Sequence, residues 1–173
     1  MTKPQAFVLA LAISSLLATA SPVSAQSDAK VGLAMGTPTA FSVIWHVDNR
    51  IALRPDIGFS HSTSENDVLG TEFSSTTVSP GISALFYVSS WDQVRAYVSP
   101  RYTWSHLSAS NSSGSSQSSN AHAFAGSLGV QYTPHRRFGV YGEVGIGFST
   151  VDAGDSSQTS TGVRHAIGAI LYF

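Results

Sequence analysis

Cysteine is absent from the 173-residue chain. That excludes disulfides and a lipid-anchored N-terminal cysteine, and leaves packing and hydrogen bonding to hold the fold. Charge is scarce too: Lys, Arg, Asp and Glu make up 11% of residues and the net charge is −1 at pH 7, where a soluble domain carries about 25% charged residues. There is no basic field to meet a phosphate backbone, so nucleic acid is not an expected partner. Sustained i, i+3, i+4 apolar spacing is missing, so helices are not expected in the core. Beyond the N-terminal leader, no apolar run approaches the roughly 18 residues of a spanning helix, and any membrane crossing would have to be made of strands.

That leader has Lys3 as its positive start, an apolar run from Ala6 to Ala20 and a small-x-small site at Val23-Ser24-Ala25. It reads as a secretory signal peptide over 1–25, cut after Ala25, with 26–173 as one domain.

What the mature chain has in quantity is period-two alternation. It predicts eight strands, at about 30–35, 39–47, 50–63, 74–88, 94–107, 121–133, 138–151 and 160–173. Asp48-Asn49, Ser89 to Gln93 and Pro134 to Arg137 make short connections. Ser64 to Phe73, Ser108 to Asn120 and Asp152 to Thr159 make long ones rich in Ser, Asn, Gly and Asp. Only Gly36-Thr37-Pro38 is short on the long side. The segment "SASNSSGSSQSSN", Ser108 to Asn120, has no apolar area to bury and is expected to be a mobile surface loop. Short turns on one side, long polar loops on the other and an even number of strands predict an all-β fold: an eight-stranded antiparallel up-and-down transmembrane β-barrel of the bacterial outer-membrane type.

The two faces of the strands sort by chemistry. One face of the seventh strand runs Phe138, Val140, Gly142, Val144, Ile146, Phe148, aromatic at both ends and aliphatic or glycine between. Across the strands, Trp45, Phe86, Tyr132, Phe138 and Phe173 mark the short-turn side, and Phe41, Phe59, Trp104, Phe124 and Phe148 the long-loop side. Two such girdles, about 10 residues of strand apart, match the height of a lipid layer, so this face is assigned to lipid. The opposite face carries Arg54 and Asp56, Arg95 and Arg101, Glu143, and Arg164. An Arg or Lys at lipid mid-depth costs about 2–4 kcal/mol, which sends these groups into the lumen.

Three strands echo one another: "LRPDIGF" from Leu53, "VSPRYTW" from Val98 and "VYGEVGI" from Val140 place Asp56, Arg101 and Glu143 at one shared position. A structural ion cluster is expected there, with Asp56 and Glu143 neutralised by some of Arg54, Arg95, Arg101 and Arg164, and with Tyr87, Tyr97, Tyr141 and Gln131 as hydrogen-bond partners. Pro55, Pro80 and Pro100 fall on the lipid face near mid-wall, where bulges are expected to accommodate them.

With this pattern in hand the chain resembles the small OmpA/OmpX-like outer-membrane β-barrel family over essentially its whole mature length. The terminal strand "GVRHAIGAILYF", with Val163, Ile167, Ala169, Leu171 and the final Phe173, resembles the signal by which the barrel-assembly machinery recognises its clients. The resemblance implies export and insertion into the bacterial outer membrane, and contact with outer-membrane lipid and lipopolysaccharide. It also implies a structural or surface-interaction role, in adhesion or envelope integrity, rather than an open porin. Host or phage surface ligands are the partners such loops would meet. No peptidoglycan-binding domain follows Phe173, so that OmpA role is not expected.

The alternatives are a narrow channel and a lipid A modifying enzyme. Deacylases among such barrels use a His-x-Ser pair with a carboxylate on the lipid side, and this chain has His106-Leu107-Ser108 as well as His61, Ser62 and Glu65. Serine is so common in these segments that such neighbours arise by chance, and no catalytic residue is assigned. The six histidines show no metal-ligand spacing on a shared face. Neither a metal nor any other cofactor is expected.

Overall fold

The computed structural model describes residues 31–38, 41–66, 71–111, 116–153 and 156–173. The expected signal peptide, 1–25, lies outside them. Eight strands follow in chain order: β1 Val31–Thr37, β2 Phe41–His46, β3 Ile51–Asn66, β4 Thr71–Trp91, β5 Val94–Asn111, β6 Ser116–His135, β7 Phe138–Ala153 and β8 Ser156–Tyr172. Each is antiparallel to its sequence neighbours. β1 closes the ring onto β8 from Gly32↔Tyr172 to Thr37↔Ile167. Closure leaves the sheet without an edge, the condition for burying backbone donors and acceptors in hydrocarbon.

The ring is inside-out by the standards of a soluble domain. Leu128 and Ile167 stand on the outer wall at 62% and 66% exposure, while Arg54 and Glu143 point inward at 3% and 7%. Strand alternation produces both faces at once. Because the apolar side chains are the exposed ones, the solvent they meet must be lipid, and the protein is a transmembrane barrel.

The hairpins on one side are taller than the sequence pattern suggests. β3, β5 and β7 continue past the expected ends, and β4, β6 and β8 start earlier. The expected loop at Ser108 to Asn120 is mostly ladder, with Ser108↔Ser118, Ala109↔Gln117 and Ser110↔Ser116 paired, and 112–115 outside the described residues. Lack of apolar area prevents a segment from packing into a core, but a hairpin ladder needs only its own backbone partners. Hydroxyl pairs across the strands add to it: Ser149 with Ser160 at 2.8 Å and Thr150 with Thr159 at 3.3 Å. β4, at 21 residues, is about twice the 9–11 needed to cross a bilayer.

The short-turn end is tied tightly. Asp48 Oδ1 accepts from the amides of Arg50 at 2.6 Å and Ile51 at 2.8 Å. Asp92 takes the left-handed conformation, φ 45°, that its turn requires.

The mid-wall prolines are not accommodated by bulges. Among the described residues the register shifts lie between Tyr87 and Ser89 and between Tyr132 and His135, at the short-turn end. In an antiparallel sheet a residue's N–H and C=O point to the same neighbour, so a proline weakens one seam and leaves the other whole. Pro55 pairs with Ile82 on β4, while the β2 seam is interrupted between Ser42↔Asp56 and Trp45↔Leu53. Pro80 pairs with Ile57 and interrupts the β5 seam between Val78↔His106 and Gly81↔Thr103. Pro100 pairs with Gly126 and interrupts the β4 seam between Ser83↔Arg101 and Phe86↔Val98. Register is kept across every gap. Beside Pro80 the hydroxyls of Ser79 and Ser105, 2.8 Å apart, bridge the seam.

The assignment of the outer wall to lipid is checked by charge placement. Leu128→Arg should lower the free energy of folding into lipid vesicles, read by urea titration, by about 2–4 kcal/mol. Ser118→Arg, on the same face of β6 but up in the hairpin, should change it by less than about 1 kcal/mol. Equal effects would contradict the assignment.

Candidate functional site in the barrel lumen

Inward-pointing positions of β3, β4, β5 and β7 converge on one ion pair. Arg54 Nη2 lies 2.6 Å from Glu143 Oε1. β3 and β7 stand opposite one another in the ring, so the pair forms a crossbar over the lumen. Tyr97, from β5, donates its hydroxyl to the same Glu143 oxygen at 2.9 Å. Arg54 Nε donates to Ser83 Oγ at 3.0 Å, and its guanidinium carbon lies 5.2 Å from the centre of the Tyr141 ring. The crossbar depends on Gly129, on β6 between β5 and β7. A Cβ there would come within 2.4 Å of the Tyr97 ring, and only glycine lets that ring lie flat against the wall and reach Glu143.

Toward the tall hairpins, Asp56 pairs with Arg101 through Oδ1 and Nη2 at 2.5 Å, reaching across β4. Gly81 makes room, since a Cβ there would sit 2.8 Å from Asp56 Oδ1. Arg101 Nε also donates to Thr103 Oγ1 at 3.0 Å. Arg164 on β8, opposite Gly145 on β7, is half-buried. Its Nε and Nη2 are shielded from solvent and have no hydrogen-bond partner among the described residues, and the same holds for Asp56 Oδ2.

A third, more neutral layer lies toward the short turns. Tyr87 donates to Gln131 Oε1 at 3.0 Å, and Gln131 Nε2 donates to the Tyr172 hydroxyl at 2.7 Å and to Thr133 Oγ1 at 3.2 Å. Arg95 belongs here, 3.6 Å above the Tyr87 ring centre and donating to the Asn49 carbonyl at 2.6 Å.

The six charged residues grouped from the sequence therefore divide. Arg54 meets Glu143 and Asp56 meets Arg101, on successive layers. Arg164 joins neither ion pair, and Arg95 is elsewhere. The shared position of Asp56, Arg101 and Glu143 in the strand echo does not make them one set of contacts. Ser83 and His46 escaped sequence reasoning. His46, stacked on Tyr87 with ring centroids 5.6 Å apart, could have been found by its parity with inward Ser42 and Ile44. Of the residues expected in the aromatic girdles, Phe41, Trp45, Phe59, Trp104, Phe124, Tyr132, Phe138, Phe148 and Phe173 are exposed on the outer wall, and Phe86 is half-buried.

The His-x-Ser segment lies on the outer wall. His106 Nδ1 is bonded to Asn120 Oδ1 at 2.9 Å, so an amide stands where a catalytic carboxylate would be sought, and His61 Nδ1 is bonded to Thr76 Oγ1 at 3.0 Å. Among the described residues no group of three or more His, Asp or Glu is placed to hold a metal ion.

Solved outer-membrane proteins share this fold. Neisserial surface protein A aligns with a TM-score of 0.54 at 16% identity, over 83% of this chain and 92% of that one. The fold is that of the small OmpA/OmpX-like outer-membrane barrels. Also similar are Ail, the attachment invasion locus protein of Yersinia pestis, at 14% identity over 83% of this chain and 92% of that one with a TM-score of 0.47, and a major outer membrane protein from Thermus thermophilus, at 14% identity over 84% and 100% with a TM-score of 0.49. No protein-family model and no curated protein sequence matches the chain.

The crossbar is testable as a unit. Glu143→Ala strands a buried guanidinium and should cost about 3–5 kcal/mol of unfolding free energy in detergent. Adding Arg54→Met should recover part of that loss, with a coupling of at least about 1 kcal/mol between the two sites. Strictly additive losses would show that the two residues do not act as a pair.

Proposed function

We propose that the protein is exported through its signal peptide and resides in the bacterial outer membrane as a closed barrel with a structural or surface-interaction role. Its terminal strand, with Val163, Ile167, Ala169, Leu171 and Phe173, would act as the assembly signal. The Arg54–Glu143 crossbar carries the reading that the barrel is not a porin: it joins opposite walls at a level where the lumen is also occupied by Tyr97 and Tyr141. Barrels of eight strands have an interior just wide enough for side chains to fill. An adhesion or envelope-integrity role is supported by the tall hairpins, whose Ser and Thr side chains offer hydrogen-bond donors and acceptors well above the apolar band. Lipopolysaccharide is the nearest partner for such a surface, and host or phage ligands would meet the same hydroxyl-rich strand ends.

Fractionation with gel analysis tests location and fold together. The protein should appear in the outer-membrane fraction and migrate differently before and after boiling. Recovery as a soluble periplasmic protein would overturn the reading. In planar bilayers it should give no discrete conductance steps, whereas stepwise currents would make it a channel. Lipid A from expressing cells should keep all its acyl chains; loss of one chain, abolished by His106→Ala, would instead make it a deacylase.

A further inference from the structure

The outer wall is not uniformly convex. Between β5, β6 and β7 it carries a groove of about 410 Å3 lined by Pro100, Arg101, Tyr102, Phe124, Ala125, Gly126 and Phe148, with the Arg101 guanidinium turned inward onto Asp56. Gly126 lies in register between Pro100 on β5 and Ile146 on β7, and a Cβ added to it would meet nothing within 4 Å. Toward the tall hairpins, Phe124 pairs across the strands with Phe148 on one side and Tyr102 on the other, the Tyr102 and Phe124 rings being 4.9 Å apart. Above them the Tyr102 hydroxyl is bonded to His122 Nδ1 at 2.8 Å, which leaves the Nε2 edge of that ring for a ligand.

We infer that this groove holds one acyl chain of an outer-leaflet lipid, and that Tyr102 and His122 meet the polar groups at the head of that chain. The groove opens on a wall that faces hydrocarbon, so lipid is what reaches it, and its aromatic sides contact a chain from more than one direction. Its polar end lies on the tall-hairpin side, which is the outer leaflet if the outer-membrane reading above is right. Among the described residues the polar end carries no Lys or Arg side chain. Of their seven arginines, Arg54, Arg95, Arg101 and Arg164 are in the lumen strands, and Arg50, Arg136 and Arg137 are at the short turns. Recognition here rests on a phenol and an imidazole, groups that suit hydroxyl and amide partners. Hydroxylated, amide-linked acyl chains are the feature that separates lipid A from glycerophospholipids, so lipid A is the occupant the groove fits.

The test is native mass spectrometry of the full-length mature protein refolded in detergent, with hexa-acylated lipid A or phosphatidylethanolamine added. Wild type should retain one lipid A. Gly126→Phe, which fills the groove, should bind it roughly tenfold more weakly. Gly142→Phe places the same ring at another outer-wall glycine with nothing within 4 Å of its Cβ, outside the groove, and should bind like wild type. His122→Ala should also weaken retention. If Gly126→Phe does not fold, Phe124→Ala removes a wall of the groove and should give the same loss. Retention unchanged by filling the groove, or equal retention of phosphatidylethanolamine, would overturn the inference. A wild-type protein that shows no heat-modifiable mobility would instead overturn the outer-membrane reading on which it rests.

Discussion

Every backbone N–H and C=O inside a hydrocarbon layer needs a partner from the protein, because the solvent offers none. In this chain that need is met by closing β1 onto β8, and the remaining features follow from the closure. The interior of an eight-stranded barrel is about as wide as the side chains that fill it, and here inward side chains from different strands pair with one another. The prolines show how local the demand is. Each removes a donor from one seam only, and the seam on its other side keeps the strand in register, so three prolines are carried without a shift.

The charged lumen follows from the same narrowness. A carboxylate enclosed by protein on all sides is tolerable only beside a cation and hydrogen-bond donors. Glu143 has Arg54 and Tyr97, and Asp56 has Arg101. Both arrangements depend on glycine as much as on charge: Gly129 lets the Tyr97 ring lie against the wall, and Gly81 leaves space for Asp56. A substitution at either glycine would therefore act on the ion pairs without touching a charged residue. The lumen grades from two ion-paired layers to a layer near the short turns where Tyr87, Gln131 and Tyr172 form a hydrogen-bonded network and Arg95 lies over the Tyr87 ring.

Which face each residue occupies was legible in the sequence, because alternation with period two encodes face directly. Leu128 outward and Glu143 inward needed no more than counting. Partners were less legible, since they depend on register between strands distant in sequence. The strand echo aligned Asp56, Arg101 and Glu143, yet Glu143 found Arg54, one layer removed from the pair of Asp56 and Arg101. Hairpin height at Ser108 to Asn120 is not legible from apolar content, because backbone pairing alone extends the ladder there. His46 was missed because a lone histidine near a strand end looks like an interfacial residue until parity places it beside Ile44.

Two solvents meet the two faces of each strand, lipid outside and protein within, and everything above depends on that division. Depth-resolved fluorescence quenching by brominated lipids tests it most directly, using variants in which Trp45, Trp91 and Trp104 are replaced by Phe and one new tryptophan is introduced. Leu128→Trp should be quenched most strongly by bromine placed deep in the acyl chains, and Tyr97→Trp, inside the lumen, should be quenched far less at any depth. Strong quenching of Leu128→Trp by a water-soluble quencher, with none from the brominated lipids, would contradict the division.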